Sequence, residues 1–390
     1  MTNSVLLLLE GWGEGLLINK CNQRLGGFVY LMILLTVWLM VYTYVVSKGG
    51  GIIATLFLTM NCFVVLTFKT KSLLLFYMCF EASVIPIALL IFLFGYQPEK
   101  LQACFFLLVY TVSSRLPLLI TILRSNENIP FIRSLLSIPV TLAFMVKTPM
   151  YILHMWLPKA HVEAPIGGSM VLAGVLLKLG SYGLLLFLPF VKLNFLLVAY
   201  VRVSLVGSFY CSIFCLRQGD LKVLIAYSSV VHMGVVTLGF VRGSELGYSC
   251  SLIIIFSHGL CSPFLFLLAH WMYNSSHSRL LLNNITSWPI STAMLFGVVR
   301  LNIGIPPRLS IWAEVLLSVS VLHVLRYITP VLISIFFLGT IYNLYLYTSC
   351  SHSKFSPIKP LDLPSFLPVL QVLFYGYRSF LTLDLFHLYF

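Results

Sequence analysis

Long apolar segments follow one another along almost the whole chain of 390 residues, with only short connections between them. A helix needs about 20 predominantly apolar residues to cross the hydrocarbon core of a bilayer. Spans are predicted at 27–47, 51–68, 73–95, 101–123, 135–157, 166–190, 195–216, 223–242, 249–272, 289–305 continuing into 310–326, and 328–348. A weaker segment lies at 366–386, and another at 4–18 is interrupted by two glycines and two glutamates. The sequence therefore predicts an all-α polytopic membrane protein.

The composition excludes a soluble protein of this size. Only 9% of the residues are charged and 59% are hydrophobic, whereas a soluble domain carries about 25% charged residues. The formal net charge is +13, but the basic residues lie in short connections, where lipid headgroups explain them better than a nucleic acid does. They occur at both ends of the predicted helices, so charge bias does not fix the orientation. We expect contact with the lipid bilayer and no nucleic-acid binding.

No motif for a cofactor or a metal is found in the sequence. The nine cysteines are scattered without a CxxC pair, and Cys211 and Cys215 have no partner at metal-ligand spacing. The chain contains neither a GxGxxG motif after a strand nor a phosphate-binding GxxxxGK[ST] loop. We therefore expect no metal and no cofactor in this chain. Energy for transport would come from an ion gradient or from another subunit.

Two predicted spans are interrupted by proline. Pro149 follows Lys147 in AFMVKTPMYILHMWLP, and Pro306 and Pro307 interrupt LNIGIPPRLSIWAEVLL. Proline removes a backbone donor, and in lipid the freed carbonyl must be satisfied by protein or water. One interpretation is an ordinary proline kink. The other is a pair of discontinuous helices in the two halves of a transporter, and the charged residue near each break favours this second interpretation.

Four ionisable residues fall well inside apolar segments: Glu81, Lys147, Lys178 and Glu314. Each costs about 2.5–3.5 kcal/mol near the bilayer centre, so such residues usually face the interior of the bundle and mark an ion path. Burial lowers the pKa of a lysine and raises that of a glutamate, which suits both to proton exchange near neutral pH. The alternative for Lys147 is snorkelling to the membrane interface.

Two histidines, His232 and His258, lie beside serine and glycine in otherwise apolar segments. A lone histidine in a helix is often a hydrogen-bonded structural residue. Small polar neighbours leave room for water next to the ring, however, and the near-neutral pKa of imidazole suits a proton relay. We therefore predict that both histidines are relays.

Further polar residues are secondary candidates. Lys222, at the edge of a span, is interpreted either as one half of an ion pair with Asp220 or as a gate. His154 lies in the polar turn after the first broken helix, followed by His161 and Glu163 in LPKAHVEAP. These three residues are expected either to seal the end of a half-channel or to cap the next helix.

Several of these segments together resemble one family. They are, in chain order, FEASVIP with GYQPEK, KTPMYILHMWLPKAHVEAPIGGSMVLAGVLLKLGSYG, RQGDLKVLIAYSSVVHMG, SHGLCSPFLF, HSRLLL and IPPRLSIWAE. In content and order they are similar to the subunit 4 family of mitochondrial NADH:ubiquinone oxidoreductase, respiratory complex I. The resemblance covers about residues 70–330 and is highly specific because so many segments match in sequence order.

The resemblance implies an antiporter-like fold with two inverted five-helix repeats, each containing a broken helix and a half-channel. About 12–13 transmembrane helices are expected. The corresponding division of the chain is N-terminal helices at 1–70, a first repeat at 71–190, a second repeat at 191–348 and a C-terminal segment with a further helix at 349–390.

The resemblance also implies a function, that of a proton-translocating membrane-arm subunit of H+-translocating NADH:ubiquinone reductase in the mitochondrial inner membrane. The implied proton path consists of Glu81, Lys147, Lys178, His232, His258 and Glu314, with Glu81 and Lys147 as the pair on its entry side. In the family, NAD, FMN, iron–sulfur clusters and ubiquinone belong to other subunits. The expected partners are other membrane-arm subunits, including neighbouring antiporter-like ones, together with bound phospholipids such as cardiolipin.

The chain departs from the family pattern in three places. Fewer spans than usual precede the helix of Glu81, the last 40 residues (351–390) match poorly, and Arg115 in TVSSRLPLL has no place in the implied path. Two other hypotheses remain open on the sequence alone. One is a stand-alone ion antiporter, and the other is a structural scaffold whose buried charges are packing ion pairs.

Overall fold

The computed structural model describes residues 15–47, 50–70, 72–95, 97–123, 130–188, 195–242, 244–281, 289–304, 309–322 and 328–351. Nearly all of these residues are helical. The weak segment at 366–386, most of the segment at 4–18 and the proline pair Pro306–Pro307 lie outside the described residues.

The described residues up to 188 form nine α-helices and one π-helical segment. They are α1 Gly15–Ser47, α2 Gly51–Lys69, α3 Leu73–Ala82, α4 Val84–Phe94, α5 Lys100–Leu123, α6 Pro130–Lys147, α7 Trp156–Glu163, α8 Ile166–Val171, the π segment Leu172–Leu176 and α9 Leu177–Phe187.

Six more helices complete the described part of the chain. They are α10 Phe195–Arg217, α11 Leu221–Arg242, α12 Glu245–Ser276, α13 Pro289–Ile303, α14 Leu309–Leu322 and α15 Thr329–Ser351.

Nine stretches within the described residues are long and apolar enough to cross a membrane. Two shorter apolar helices, Ser291–Ile303 and Ser310–Leu322, flank the second predicted break. Large apolar side chains such as Leu58, Phe105 and Phe337 are 63–66% exposed, which is the arrangement expected of a surface that faces lipid. The prediction of a polytopic helical membrane protein is thus confirmed.

The segments differ in how deeply they lie in the bundle. In the span Ile166–Phe187, which runs from α8 through the π segment to α9, 94% of the apolar window is buried, and α11 and α12 reach 83%. The corresponding share is 28% for α1, α2 and α15. The polar residues of the central helices are therefore shielded from lipid by the surrounding helices.

Pro149 breaks the first discontinuous helix, as predicted, between α6 and α7. Because Pro149 has no N–H, the carbonyl of Met145 accepts instead from the backbone N–H of Met150, at 3.0 Å. The carbonyl of Val146 would normally accept from Met150 and here accepts from the indole Nε1 of Trp156, at 3.2 Å. The break is thus closed by protein hydrogen bonds, as the lipid surroundings require.

The segment between α6 and α7 contains a strained turn. Ile152 has φ 78°, a conformation that costs a β-branched residue energy and persists only where the surroundings enforce it. The predicted single span at 135–157 is therefore two helices, and the second of them begins at Trp156. The division corrects that predicted span, and it results from the missing donor of Pro149.

A π-helical segment at Leu172–Leu176 interrupts the central helix, and the sequence analysis did not predict it. The backbone N–H of Leu177 bonds to the carbonyl of Leu172, one residue further back than in an α-helix. Gly174 lies here against α12, where an added Cβ would come within 2.9 Å of Pro263 Cγ. Because Gly174 has no side chain, the π segment and α12 pack in close contact at this point.

The second predicted break lies between α13 and α14. α13 ends at Ile303, and Gly304 follows with φ +80°, a conformation suited to glycine. α14 begins at Leu309, so Glu314 lies in its first half. A charged residue therefore follows this interruption closely, whereas Lys147 ends the helix before the first break.

Candidate functional site

Glu81 and Lys147 lie at one end of the row of buried charges, around the side chain and carbonyl of Phe80. The hydroxyl of Tyr77 donates to Glu81 Oε1 at 2.8 Å. Lys147 is 3% exposed, and its Nζ donates to the carbonyl of Phe80 at 3.4 Å and lies 3.6 Å from the centroid of the Phe80 ring. The burial excludes the snorkelling interpretation of Lys147 within this structure.

The resemblance implies that Glu81 and Lys147 act as a pair. Among the described residues, no salt bridge joins them, and each makes its hydrogen bond to another group, Tyr77 and the Phe80 carbonyl respectively. Their charges still interact. The two residues therefore interact through their charges and without a direct salt bridge.

Lys178 occupies the centre of the bundle and is completely buried. Its Nζ lies 2.8 Å from Nδ1 of His258 on α12 and also donates to the carbonyl of Ala173 in the π segment. Ser262 Oγ donates to the same carbonyl at 3.4 Å. The π segment thus supplies a backbone acceptor that orients Lys178 towards α12.

His232 and His258 are adjacent, with ring centroids 5.3 Å apart. Beyond them lies a small cavity of ≈ 10 Å³, lined by His232, Ile254, Ser257, His258, Asn302, Ser310 and Glu314. This space is close to the minimum for one water molecule, and its lining offers several polar partners. The structure therefore brings Lys178, the two histidines and Glu314 together, but Lys178 contacts His258 directly, whereas the implied path passed from Lys178 to His232 first.

The cavity is bounded on its far side by a buried amide pair. Asn302 Nδ2 donates to Asn343 Oδ1 at 2.9 Å, and Asn343 Nδ2 donates to the carbonyl of Gly339 at 2.9 Å. This network fixes the amide of Asn302 at the edge of the cavity and joins α13 to α15. The sequence analysis missed both asparagines, although each is a polar residue within an apolar run.

Lys222 does not form the expected ion pair with Asp220. Its Nζ donates to the carbonyls of Val162 and Ala164, at 3.2 and 3.3 Å, at the C-terminal end of α7. A cation at this end of a helix is favoured by the orphan carbonyls and by the helix dipole. The structure therefore assigns to Lys222 the capping of the short helix that follows the first break.

Glu163 anchors the same end of α7. It accepts from the backbone N–H of Gln97 at 3.2 Å and pairs with Arg279 Nη1 at 3.5 Å. An open cavity of ≈ 160 Å³ adjoins this cluster and is lined by Glu99, Gln102, Ala103, Pro158, Lys159, Val162, Glu163 and Val223. Charged side chains therefore line an accessible space at one end of the bundle.

The two other histidines of the first break are held by aromatic rings. His154 is stacked on Tyr151, with centroids 5.4 Å apart, and His161 is stacked on Phe266 at 4.4 Å. Both imidazoles are buried. Among the described residues, neither ring nitrogen of His161 has a hydrogen-bond partner, so His161 does not cap a helix, and Nδ1 of His154 has no partner either. Their predicted alternative, sealing of a half-channel, is compatible with this burial.

A family model described as NADH:quinone oxidoreductase/Mrp antiporter, TM, matches residues 70–341. An NADH-ubiquinone oxidoreductase chain 4 from Ceratitis capitata is 44% identical over 309 residues, which cover 75% of this chain and 69% of that protein. A protein of the same name from Rhipicephalus sanguineus is 35% identical over 376 residues, which cover 91% and 86%.

Solved structures share the fold. A chain of respiratory complex I from Thermus thermophilus with bound NADH has a TM-score of 0.82 at 22% identity, covering 90% of this chain and 81% of that one. A chain of the Mrp complex from a Dietzia species also has a TM-score of 0.82, at 16% identity, covering 92% and 81%. The antiporter-like fold expected from the sequence is confirmed. With the sequence relatives at 35–44% identity, these findings show that the chain belongs to the NADH-ubiquinone oxidoreductase chain 4 family.

Proposed function

We propose that this chain is a proton-translocating membrane-arm subunit of NADH:ubiquinone oxidoreductase in the mitochondrial inner membrane. The names of its relatives support membership of this complex, and the buried charged residues support proton translocation. Electron transfer through NAD, FMN, iron–sulfur clusters and ubiquinone is assigned in this proposal to other subunits. The chain itself supplies the groups that hold and move protons.

The contact between Lys178 and His258 carries the proposal. A buried ammonium and an imidazole nitrogen 2.8 Å apart can share one proton through a direct hydrogen bond. A proton that passes from Nζ to Nδ1 leaves a neutral lysine and a charged histidine. The step needs no rearrangement, because Nζ and Nδ1 are already in contact and Lys178 is also held by the Ala173 carbonyl.

The second histidine and the cavity extend this step towards Glu314. The ring of His232 lies beside that of His258, and both histidines line the cavity to which Glu314 also contributes. One water in this space would have the imidazoles, the Asn302 amide and the Glu314 carboxylate as hydrogen-bond partners. We propose that protons pass between the histidines and Glu314 through this wet space.

Glu81 and Lys147 form the other end of the proposed path. Lys147 is held on the Phe80 carbonyl and ring, and Glu81 by the Tyr77 hydroxyl. Because their charges interact without a direct salt bridge, a modest movement of either side chain changes the interaction strongly in a low-dielectric interior. Such a pair can couple the charge of Lys147 to the protonation of its neighbours.

The test is Lys178→Met in the assembled complex, with Lys69→Met as the matched control, since Lys69 is an exposed lysine at the end of α2. Protons pumped per NADH oxidised are measured in proteoliposomes. We expect Lys178→Met to lower pumping at least about tenfold, since a positioned proton-transfer group contributes about 10²–10⁴-fold to the rate of its step, and Lys69→Met to leave it unchanged. Wild-type pumping by an assembled Lys178→Met complex would refute the proposed path.

A second candidate function is ion exchange by a stand-alone antiporter, favoured by the equal structural similarity to a chain of an Mrp complex. The two candidates differ in partners. A membrane-arm subunit migrates on native gels with a large assembly and pumps in response to NADH. A stand-alone antiporter migrates as a small oligomer and exchanges ions across a vesicle membrane without NADH.

A further inference from the structure

Arg115 is a second cation at the Glu81 end of the path, and the proposed function gives it no role. It lies on α5, away from both ends of this 24-residue helix, and is only 2% exposed. A long basic side chain near a helix end can snorkel to the interface, but this one is enclosed by protein. Burial of a permanent charge is costly, so its neighbours explain why it is tolerated.

The neighbours of Arg115 are the members of the Glu81 cluster. Its Cζ lies 4.9 Å from the centroid of the Phe80 ring, the same ring that Lys147 Nζ contacts at 3.6 Å. The charges of Glu81 and of Lys147 both interact with the guanidinium. One aromatic ring, one carboxylate and two cations therefore form a single electrostatic unit at the meeting point of α3, α5 and α6.

Arg115 is not part of a local ion pair. Within the described residues it makes no salt bridge, and its buried Nη2 has no hydrogen-bond partner. A packing ion pair would place a carboxylate directly on the guanidinium fork, the geometry in which an arginine–carboxylate pair is strongest. The charge of Arg115 therefore acts on the cluster as a whole and is not neutralised by one dedicated partner.

The net charge of the cluster determines how Arg115 affects the protonation of Lys147. With Glu81 ionised and Arg115 absent, the buried cluster is neutral only while Lys147 keeps its proton. With Arg115 present, the guanidinium stays charged, and the cluster becomes neutral when Lys147 releases its proton. Because a net charge in a low-dielectric interior is costly, Arg115 shifts the balance towards proton release by Lys147.

We propose, on the basis of the proton path above, that Arg115 is a positioning residue that supplies the fixed counter-charge of Glu81 and thereby frees Lys147 to give up its proton. The guanidinium does not exchange protons itself. Its fixed positive charge makes the unit of Glu81, Arg115 and Lys147 electrically neutral when Lys147 has lost its proton.

In the described part of the chain, three helices that contact α6 or Lys147 carry titratable groups. These groups are Tyr77, Cys79 and Glu81 on α3, Lys100, Cys104, Tyr110 and Arg115 on α5, and Lys178 and Tyr182 on α9. Of these, Arg115 and Glu81 interact electrostatically with Lys147. A change in the pH dependence of pumping after replacement of Arg115 is therefore attributable to this unit.

The experiment replaces Arg115 in the assembled complex and measures NADH-driven proton pumping against pH. Arg115→Gln removes the charge, and Arg115→Lys keeps it. Loss of a neighbouring positive charge stabilises protonated Lys147, so proton release requires a higher pH. We expect the pH of half-maximal pumping to rise by about one unit in Arg115→Gln, the smaller end of the effect of one nearby charge, and to return to the wild-type value in Arg115→Lys.

Two results would overturn the proposal. The first is a wild-type pH profile in Arg115→Gln, and the second is an equal shift in Arg115→Lys, which would mean that shape matters and charge does not. If Arg115→Gln does not accumulate in the complex, Arg115→Met is measured in its place. Failure of both neutral variants to assemble would make Arg115 a folding residue and would also overturn the proposal.

The role of Arg115 and the proposed function can fail independently of each other. Wild-type pumping in Lys178→Met would remove the path itself, whatever the Arg115 variants show. An unchanged pH profile in Arg115→Gln, together with loss of pumping in Lys178→Met, would keep the path and remove only the role of Arg115.

Discussion

The two ends of the buried charge row are built in different ways. Around Glu81, a tyrosine hydroxyl, an aromatic ring and two cations pack together without a direct ion pair. Around Glu314, two histidines, an asparagine and two serines line a small cavity with a polar surface. In the proposal above, the first end (the dry end) controls charge through fixed electrostatics between closely packed side chains, of which Glu81 is partly exposed. The second offers room and hydrogen-bond partners for water.

The difference teaches that one row of charges can contain two kinds of proton site. A dry cluster responds strongly to a change in any one charge, because few dipoles screen it. A wet site conducts by exchange of hydrogen bonds and depends on the space and on the polar lining. Lys178 lies between the two ends, and its contact with His258 connects it directly to the second one.

Replacement of Glu314 by glutamine is expected to have the largest effect at the wet end. The amide keeps the size of the side chain but cannot accept and release a proton, so pumping should fall at least about tenfold. The measurement is protons pumped per NADH by the assembled complex. Glu245→Gln is the matched control, because Glu245 is an exposed glutamate in the first turn of α12. Equal losses in both variants would mean that carboxylate removal acts on assembly.

Asn302→Leu tests the cavity with a smaller expected effect. Leucine removes a polar group from the lining and leaves Asn343 Oδ1 without the donor that now lies 2.9 Å away. The cost of the orphaned acceptor is about 1–3 kcal/mol, which thermal denaturation of the complex reports. Pumping should fall several-fold because water exchange is impaired.

The matched control for this second variant is Ser83→Ala at the dry end. Ser83 Oγ donates to the Phe80 carbonyl at 2.8 Å, a local bond within its own helix turn. We expect little change in pumping from its removal. If Ser83→Ala lowered pumping as much as Asn302→Leu, the distinction between a dry and a wet end would be lost.

Phe80→Leu should have the smallest effect of the series. It removes the ring that both Lys147 and Arg115 contact but keeps the backbone carbonyl that Lys147 uses. The lost cation–π interactions amount to about 0.5–2 kcal/mol each. We expect pumping to persist at a moderately reduced rate, with Phe76→Leu, an aromatic neighbour of Phe80 without a cation contact, as the control.

The sequence was sufficient to predict the helical membrane fold, the first helix break and the presence of ionisable residues inside apolar segments. These features depend on local patterns, namely the length of an apolar run, a proline without an N–H, and a charge with apolar flanks. The division of the chain into repeats at 71–190 and 191–348 remains a prediction. The fold and the family are confirmed.

Other features required the packed structure. One of the two interpretations of Lys222 was an ion pair with the neighbouring Asp220, whereas Lys222 caps a helix about 60 residues away in the chain. The implied pair of Glu81 and Lys147 makes no direct salt bridge, and Lys147 is held instead by the Phe80 carbonyl and ring. Long-range partners of this kind are decided by which helix ends meet, and no local pattern contains that information.

By itself, the sequence determined that this chain must bury a row of ionisable groups in a lipid-embedded helical bundle, since four such groups lie inside segments that can be accommodated only in a membrane. Only the tertiary structure decided what each charge contacts. It placed Lys178 on His258 through the π segment, opened polar space beside Glu314, and gave Glu81 a second cation in Arg115. The physical reason is that insertion energy depends on the composition of one segment, whereas the charge state of a buried group depends on all the helices packed around it.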